Sequence, residues 1–118
     1  MNNIQISKNF KLREFQCRDG NFQVRLDARL LKKLQELRDR VGRPIIINSG
    51  YRTVEYNKKI GGSPNSQHIL GRAVDIVIPP LDPREIAEVA ESIGFGGIGI
   101  YENFVHVDVR DKRARWKG

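Results

Sequence analysis

The chain has only two histidines, His68 and His106. His68 follows a Gly- and Ser-rich stretch and precedes an apolar run, 72–78, that carries Asp75. In a strand, side chains alternate between faces, so Ala73, Asp75 and Val77 share one face and Val74, Ile76 and Ile78 take the other. A carboxylate on a strand this apolar is costly to bury unless it is paired or bound to a metal. His106 lies in Phe104-Val105-His106-Val107-Asp108-Val109. Here the valines face one way, while His106 and Asp108 face the other, with backbones roughly 7 Å apart. Two imidazoles and one carboxylate make a reasonable catalytic zinc set, because three protein ligands leave a fourth position for water. Zinc lowers the pKa of that water and polarises a carbonyl, and a further carboxylate is then wanted as general base. The residues alone leave a second reading open, in which each histidine is structural and Asp75 bonds a neighbouring turn.

These side chains need a scaffold, and the periodicity supplies one. Leu30, Leu34, Leu37 and Val41 recur at helical spacing and predict a helix over 27–41, with Asp27 as N-cap and Gly42 as its stop. Ile45-Ile46-Ile47 reads as a short buried strand. Residues 53–60 read as a short helix ended by Gly61-Gly62, and Ser63-Pro64-Asn65-Ser66 reads as a loop. Asp82-Pro83-Arg84-Glu85 opens another helix with Asp at N-cap, Pro at N1 and Glu at N3, and Ile86, Val89, Ala90 and Ile93 form its buried stripe. Residues 97–101 and 104–109 read as a hairpin turning at Glu102-Asn103. The first 25 residues are poorly periodic and are expected to form an arm docked through Phe10, Leu12 and Phe15. The expectation is an α+β fold in which helices pack on a small, mostly antiparallel sheet.

At 118 residues the chain fits one domain, 1–118, with 1–25 as the packed arm. A single cysteine, Cys17, excludes an intrachain disulfide and a Cys-rich zinc site. The 21 Lys and Arg against 14 Asp and Glu give a net charge of +7, which favours anionic partners. The basic residues are dispersed, with small clusters at 29–33 and 110–117. No helix-turn-helix or aromatic-rich recognition motif accompanies them, so no nucleic-acid partner is expected. No apolar run approaches the roughly 20 residues of a membrane span, and the N-terminus does not read as a signal peptide. A monomer made in the cytoplasm is expected.

The run Ser66-Gln67-His68-Ile69-Leu70-Gly71-Arg72-Ala73-Val74-Asp75 resembles the S-x-H-x-x-G-x-A-x-D motif of the zinc D-alanyl-D-alanine carboxypeptidase family, at all five specified positions. Phe-Val-His-Val-Asp at 104–108 resembles the second metal motif of that family's small single-domain branch. Ser49-Gly50-Tyr51-Arg52 resembles its S-G-Y/F-R segment. The resemblance covers about residues 10–116 and implies a hedgehog/DD-peptidase-like fold. It implies that His68, Asp75 and His106 bind Zn2+, which two His and an Asp favour over calcium or magnesium. It implies that Arg52 lies beside the metal and holds a substrate carbonyl or carboxylate. Ser66 either contacts substrate or holds the loop. The sequence departs from the family at the base, because the positions three and two residues before the last ligand are Asn103 and Phe104. The remaining candidates are Asp108 and Glu102. Asp108 is preferred because it shares the face of His106, though it is equally suited to orienting a ligand histidine.

The resemblance thus implies a zinc metallopeptidase, a D,D- or L,D-type carboxypeptidase or endopeptidase. Its substrates would be peptidoglycan stem or cross-bridge peptides, with a D-amino acid on at least one side of the bond. The missing leader fits a phage or prophage product released to the wall. A contrasting expectation is a non-catalytic module of the same fold that keeps the metal and works by binding.

Overall fold

In a computed structural model that describes all residues 1–118, the N-terminal segment forms a two-stranded antiparallel ribbon, β1 (Gln5–Ser7) with β2 (Phe10–Lys11). A 3-10 turn, Leu12–Phe15, follows. Phe10 and Phe15 of this segment are buried and their rings meet at 5.9 Å, while Leu12 is half-buried. The ribbon itself has no clear periodic signal in so short a stretch.

Helix α1 (Ala28–Val41) starts where Asp27 accepts a hydrogen bond from the Arg29 backbone N–H, and it ends at Gly42 in the left-handed conformation. Leu30, Leu34 and Leu37 form its buried face. Strand β3 (Ile46–Ser49) follows, and then α2 (Val54–Lys59), whose N-cap Thr53 hydroxyl accepts from the Tyr56 N–H. The stretch 67–70, given no element from sequence, is a 3-10 turn (Gln67–Leu70) capped by Ser66 and closed by Gly71 at φ 68°. Strand β4 (Ala73–Val77) leads to α3 (Pro83–Ile93), which opens with the Asp82/Glu85 capping box and stops at Gly94. Strands β5 (Gly97–Ile100), β6 (Val105–Asp108) and β7 (Ala114–Lys117) complete the chain.

Five strands form one sheet in the order β3-β4-β6-β5-β7. Three pairings are antiparallel, including the expected β5–β6 hairpin, while β7 adds to the edge parallel to β5. The sheet is therefore mixed, and its last strand had been read only as a basic cluster. Parallel edge pairing is decided by tertiary contact, and charged residues such as Arg115 and Lys117 mask an edge strand's pattern.

Alternation divides the sheet into two working faces. Val74, Ile76, Ile98, Val105 and Val107 join Leu30, Leu34, Leu37, Ile86, Ala90 and Ile93 in the core beneath α1 and α3. The opposite face carries Ala73, Asp75, His106 and Asp108, with glycine at positions 97 and 99.

Candidate metal centre

The strand registers place Ser49 opposite Asp75, Asp75 opposite His106, His106 opposite Gly99, and Gly99 opposite Trp116. These five residues form one row across the whole sheet, and side chains opposite one another share a face. Asp75 and His106 are thus neighbours because two apolar strands pair in this register. His68 reaches the same point from the 3-10 turn, which Ser66 fixes by accepting a hydrogen bond from the His68 backbone N–H at 3.1 Å.

The ligand atoms of His68, Asp75 and His106 lie within 4.8 Å of one another. His68 Nε2 is 3.2 Å and His106 Nδ1 is 3.1 Å from the same oxygen, Asp75 Oδ1. All three residues are buried, at 3%, 8% and 7% exposure. The outer ring nitrogens decide the tautomers. His68 Nδ1 sits 2.8 Å from the Gly50 carbonyl oxygen, an acceptor only, and therefore donates to it. His106 Nε2 sits 2.8 Å from Asp108 Oδ2 and donates there. The inner nitrogens of neutral rings then present lone pairs toward a carboxylate oxygen. Three electron-pair donors converging on one buried point are suited to holding a cation, and the N, N, O set fits zinc.

The electrostatics agree with a cation site. In the metal-free state, where a proton on a ring can face the carboxylate in place of a metal, burial pushes the Asp75 carboxyl up, but its contacts with His106 and His68 outweigh that and hold the group well below the usual carboxylate range. Burial likewise lowers His106, yet its bonds to Asp108 and Asp75 leave it raised above 6.5.

Arg52 stands at the β3 end of the row. Its guanidinium donates to Ser49 Oγ at 3.1 Å, Asn57 Oδ1 at 3.2 Å and Asp75 Oδ2 at 3.2 Å. Three hydrogen bonds leave two of its five N–H groups unassigned. A cavity of about 580 Å³ opens over the cluster, and Arg52 and Ser66 line it.

Asp108 and Glu102 are placed differently. Asp108 has no exposed surface and lies behind His106, gripped by Arg110 Nε at 2.9 Å and Nη2 at 2.6 Å. Gly97 makes room for it, since a Cβ there would strike the Asp108 carboxylate. Glu102 is exposed in the turn between β5 and β6. Neither residue lines the cavity, where Asp75 is the one carboxylate.

Sequence reasoning missed the far wall. The Trp116 ring is 5.0 Å from the His106 ring and its Nε1 donates to the Tyr101 hydroxyl at 2.9 Å. A Cβ on Gly99 would collide with the indole, so the missing side chain lets Trp116 fold across β5 toward His106. The Arg110 guanidinium sits over the same indole at 5.0 Å. The alternation Gly97-Ile98-Gly99-Ile100 was the available signal, because a strand with glycine on every site-facing position must be overlaid by neighbours.

The chain is 33% identical over 104 residues to the probable peptidoglycan L,D-endopeptidase MepK of Haemophilus influenzae, a match covering 80% of this chain and 55% of that protein. It is 32% identical over 97 residues to the peptidoglycan L,D-endopeptidase MepK of Escherichia coli, covering 75% and 53%. A shorter match, 38% identical over 64 residues, covers 53% of this chain and 25% of the zinc D-Ala-D-Ala carboxypeptidase of Streptomyces albus G. The chain thus spans about half the length of the MepK proteins. The profile of the family described as Peptidase M15 matches residues 8–108, a span that contains the whole His68, Asp75 and His106 cluster. By that span and by these likenesses, the chain belongs to the peptidase M15 family.

Proposed function

We propose that this chain is a zinc-dependent peptidase that hydrolyses peptide bonds in peptidoglycan stem or cross-bridge peptides. The observation that carries the reading is the convergence of two imidazole lone pairs and the Asp75 carboxylate at the floor of an open cavity beside Arg52. Family membership and the wall-peptide activities named for its relatives supply the substrate class. Zinc held by His68 Nε2, Asp75 and His106 Nδ1 would polarise the scissile carbonyl and bring bound water toward neutral pKa.

The chain's own residues do the rest. Gly50 and Asp108 fix the tautomers of the two ligand histidines, as outer partners of metal ligands commonly do. Asp108, one of the two base candidates from sequence, is assigned here to orient His106, because it is sealed from the cavity behind that ring. Arg52, held by Ser49, Asn57 and Asp75, directs its remaining N–H groups to a substrate carbonyl or carboxylate. Ser66 holds the His68 turn and borders the substrate. Net charge +7 suits an anionic wall.

The test is to incubate zinc-loaded protein with defined stem and cross-linked peptides and to read products by mass. Release of a terminal D-residue identifies a carboxypeptidase, and internal cleavage identifies an endopeptidase of D,D or L,D type. Loss of cleavage in His68→Ala and Arg52→Ala supports the assignment. Zinc bound at one equivalent with every wall peptide left intact would sink it, and would favour a metal-retaining binding module.

A further inference from the structure

The Tyr101 hydroxyl brings to the cavity a polar hydrogen that neither the metal cluster nor Arg52 uses. Tyr101 follows β5 and continues the alternation of Gly97 and Gly99, so its side chain lies on the site face and lines the cavity. Its ring is fixed by stacking on Phe104, with centroids 4.4 Å apart and planes 6° from parallel. Its oxygen is fixed by the Trp116 Nε1–H at 2.9 Å. Trp116 is in turn settled over Gly99 and beside His106.

A phenol has one donor and two acceptor sites. The indole, a donor only, occupies an acceptor site, and the hydroxyl proton has no acceptor in the protein. A hydroxyl that accepts a hydrogen bond becomes a better donor, since chained bonds polarise one another. The sheet order also separates this donor from Arg52. Arg52 stands by β3, Tyr101 and Trp116 stand by β5 and β7, and Asp75 and His106 lie on β4 and β6 between them. A peptide bond over the metal cluster would have a guanidinium on one side and a phenol on the other.

We propose that Tyr101 is a catalytic residue, whose hydroxyl donates a hydrogen bond to the scissile carbonyl oxygen as negative charge builds there, with Trp116 as the residue that positions it. The assignment rests on the peptidase reading above. No proton changes owner in this step. The O–H bond stays intact and the hydrogen bond strengthens as the oxygen becomes anionic, which is where preorganised donors contribute most to rate.

Tyr101→Phe in the zinc-loaded full chain is the direct test, because it keeps the ring stack and removes only the hydroxyl. The expected result is a kcat lower by on the order of 10²-fold, with KM within about threefold, since an interaction made in the transition state lowers kcat selectively. Zinc stoichiometry and melting temperature should match the parent. A second readout avoids turnover altogether. A phosphinic pseudopeptide, which mimics the tetrahedral anion, should bind Tyr101→Phe about 10²-fold more weakly by calorimetry, while the cleaved product peptide binds both proteins alike. Trp116→Phe, which removes the indole N–H, should lower kcat by about tenfold through a looser hydroxyl. A parent enzyme that cleaves wall peptides while Tyr101→Phe cleaves equally fast and binds the phosphinate equally well overturns this assignment alone. A parent that neither cleaves wall peptides nor binds the phosphinate overturns the peptidase reading and Tyr101 with it.

Discussion

His106 is held from both sides, with Asp75 at Nδ1 and Asp108 at Nε2. If Asp108 acts by holding the ring, Asp108→Asn should weaken zinc binding by about 10- to 100-fold, measured by competition with a chromogenic chelator. Asp108 acting as a base would instead leave zinc affinity intact and abolish only turnover. The same contacts set a pH window for the metal-free protein. His106 is raised above 6.5, so its stabilising contribution is complete below about 6.5 and disappears as pH climbs through the raised value. Asp75 and Asp108 are held below the ordinary 3.8, so their contribution is present above that value and is lost as pH falls through the depressed ones. Chelator-treated protein should therefore melt highest between about 3.8 and 6.5. Zinc competes with the proton on His106, so zinc affinity should rise with pH across the upper edge of that window. A metal-free melting temperature that increases steadily from pH 6 to pH 9 would contradict the His106 contacts.

At the scale of elements, the sheet face is built by subtraction. Gly97 and Gly99 give up side chains, and Asp108 and Trp116 occupy the space. Gly99→Ala should push the indole away from His106. Because Trp116 is the chain's one tryptophan, its emission should shift to the red, with stability lower by about 1–3 kcal/mol from overpacking. Unchanged emission would mean that the ring is not seated as described. The elements that sequence made legible are those with local punctuation: Asp27 and Gly42 around α1, and the Asp82/Glu85 capping box and Gly94 around α3. Likewise, apolar alternation was enough to set Asp75 and His106 each on one face of its own strand, and the structure adds the register that joins the two faces. What escaped was non-local. Nothing near Trp116 in the chain announces that Ala114–Lys117 will pair with β5, and nothing near Tyr101 announces the indole partner. Asp108 was legible as a carboxylate beside His106. Its enclosure was not, because that depends on Arg110 and on the missing side chain of Gly97.

Across the whole molecule, the charge of +7 bears on where the protein would gather before it acts. Arg52 and Arg110 line the cavity against the one carboxylate of Asp75, so the positive bias extends to the site itself. Raising ionic strength from about 0.01 M to about 1 M shortens the screening length from about 30 Å to about 3 Å. Cleavage of intact anionic wall should slow markedly over that range, whereas cleavage of a small uncharged peptide should change little, as measured by product release at each salt concentration. Equal salt sensitivity for both substrates would assign the effect to the site and not to long-range attraction.

The bare glycine face of β5 also changes how the domain can vary. Most strands bordering a cleft have one permissive side, where substitutions accumulate, and one restrictive side toward the interior. In β5 the interior side is filled by Ile98, and the other side is filled by atoms borrowed from β6 and β7. A saturation scan of residues 97–100, read by retained fold and zinc content, should therefore find no permissive face in this strand. Its two neighbouring strands β6 and β7 would then have to change together with it, so this end of the sheet should drift as a block through sequence space.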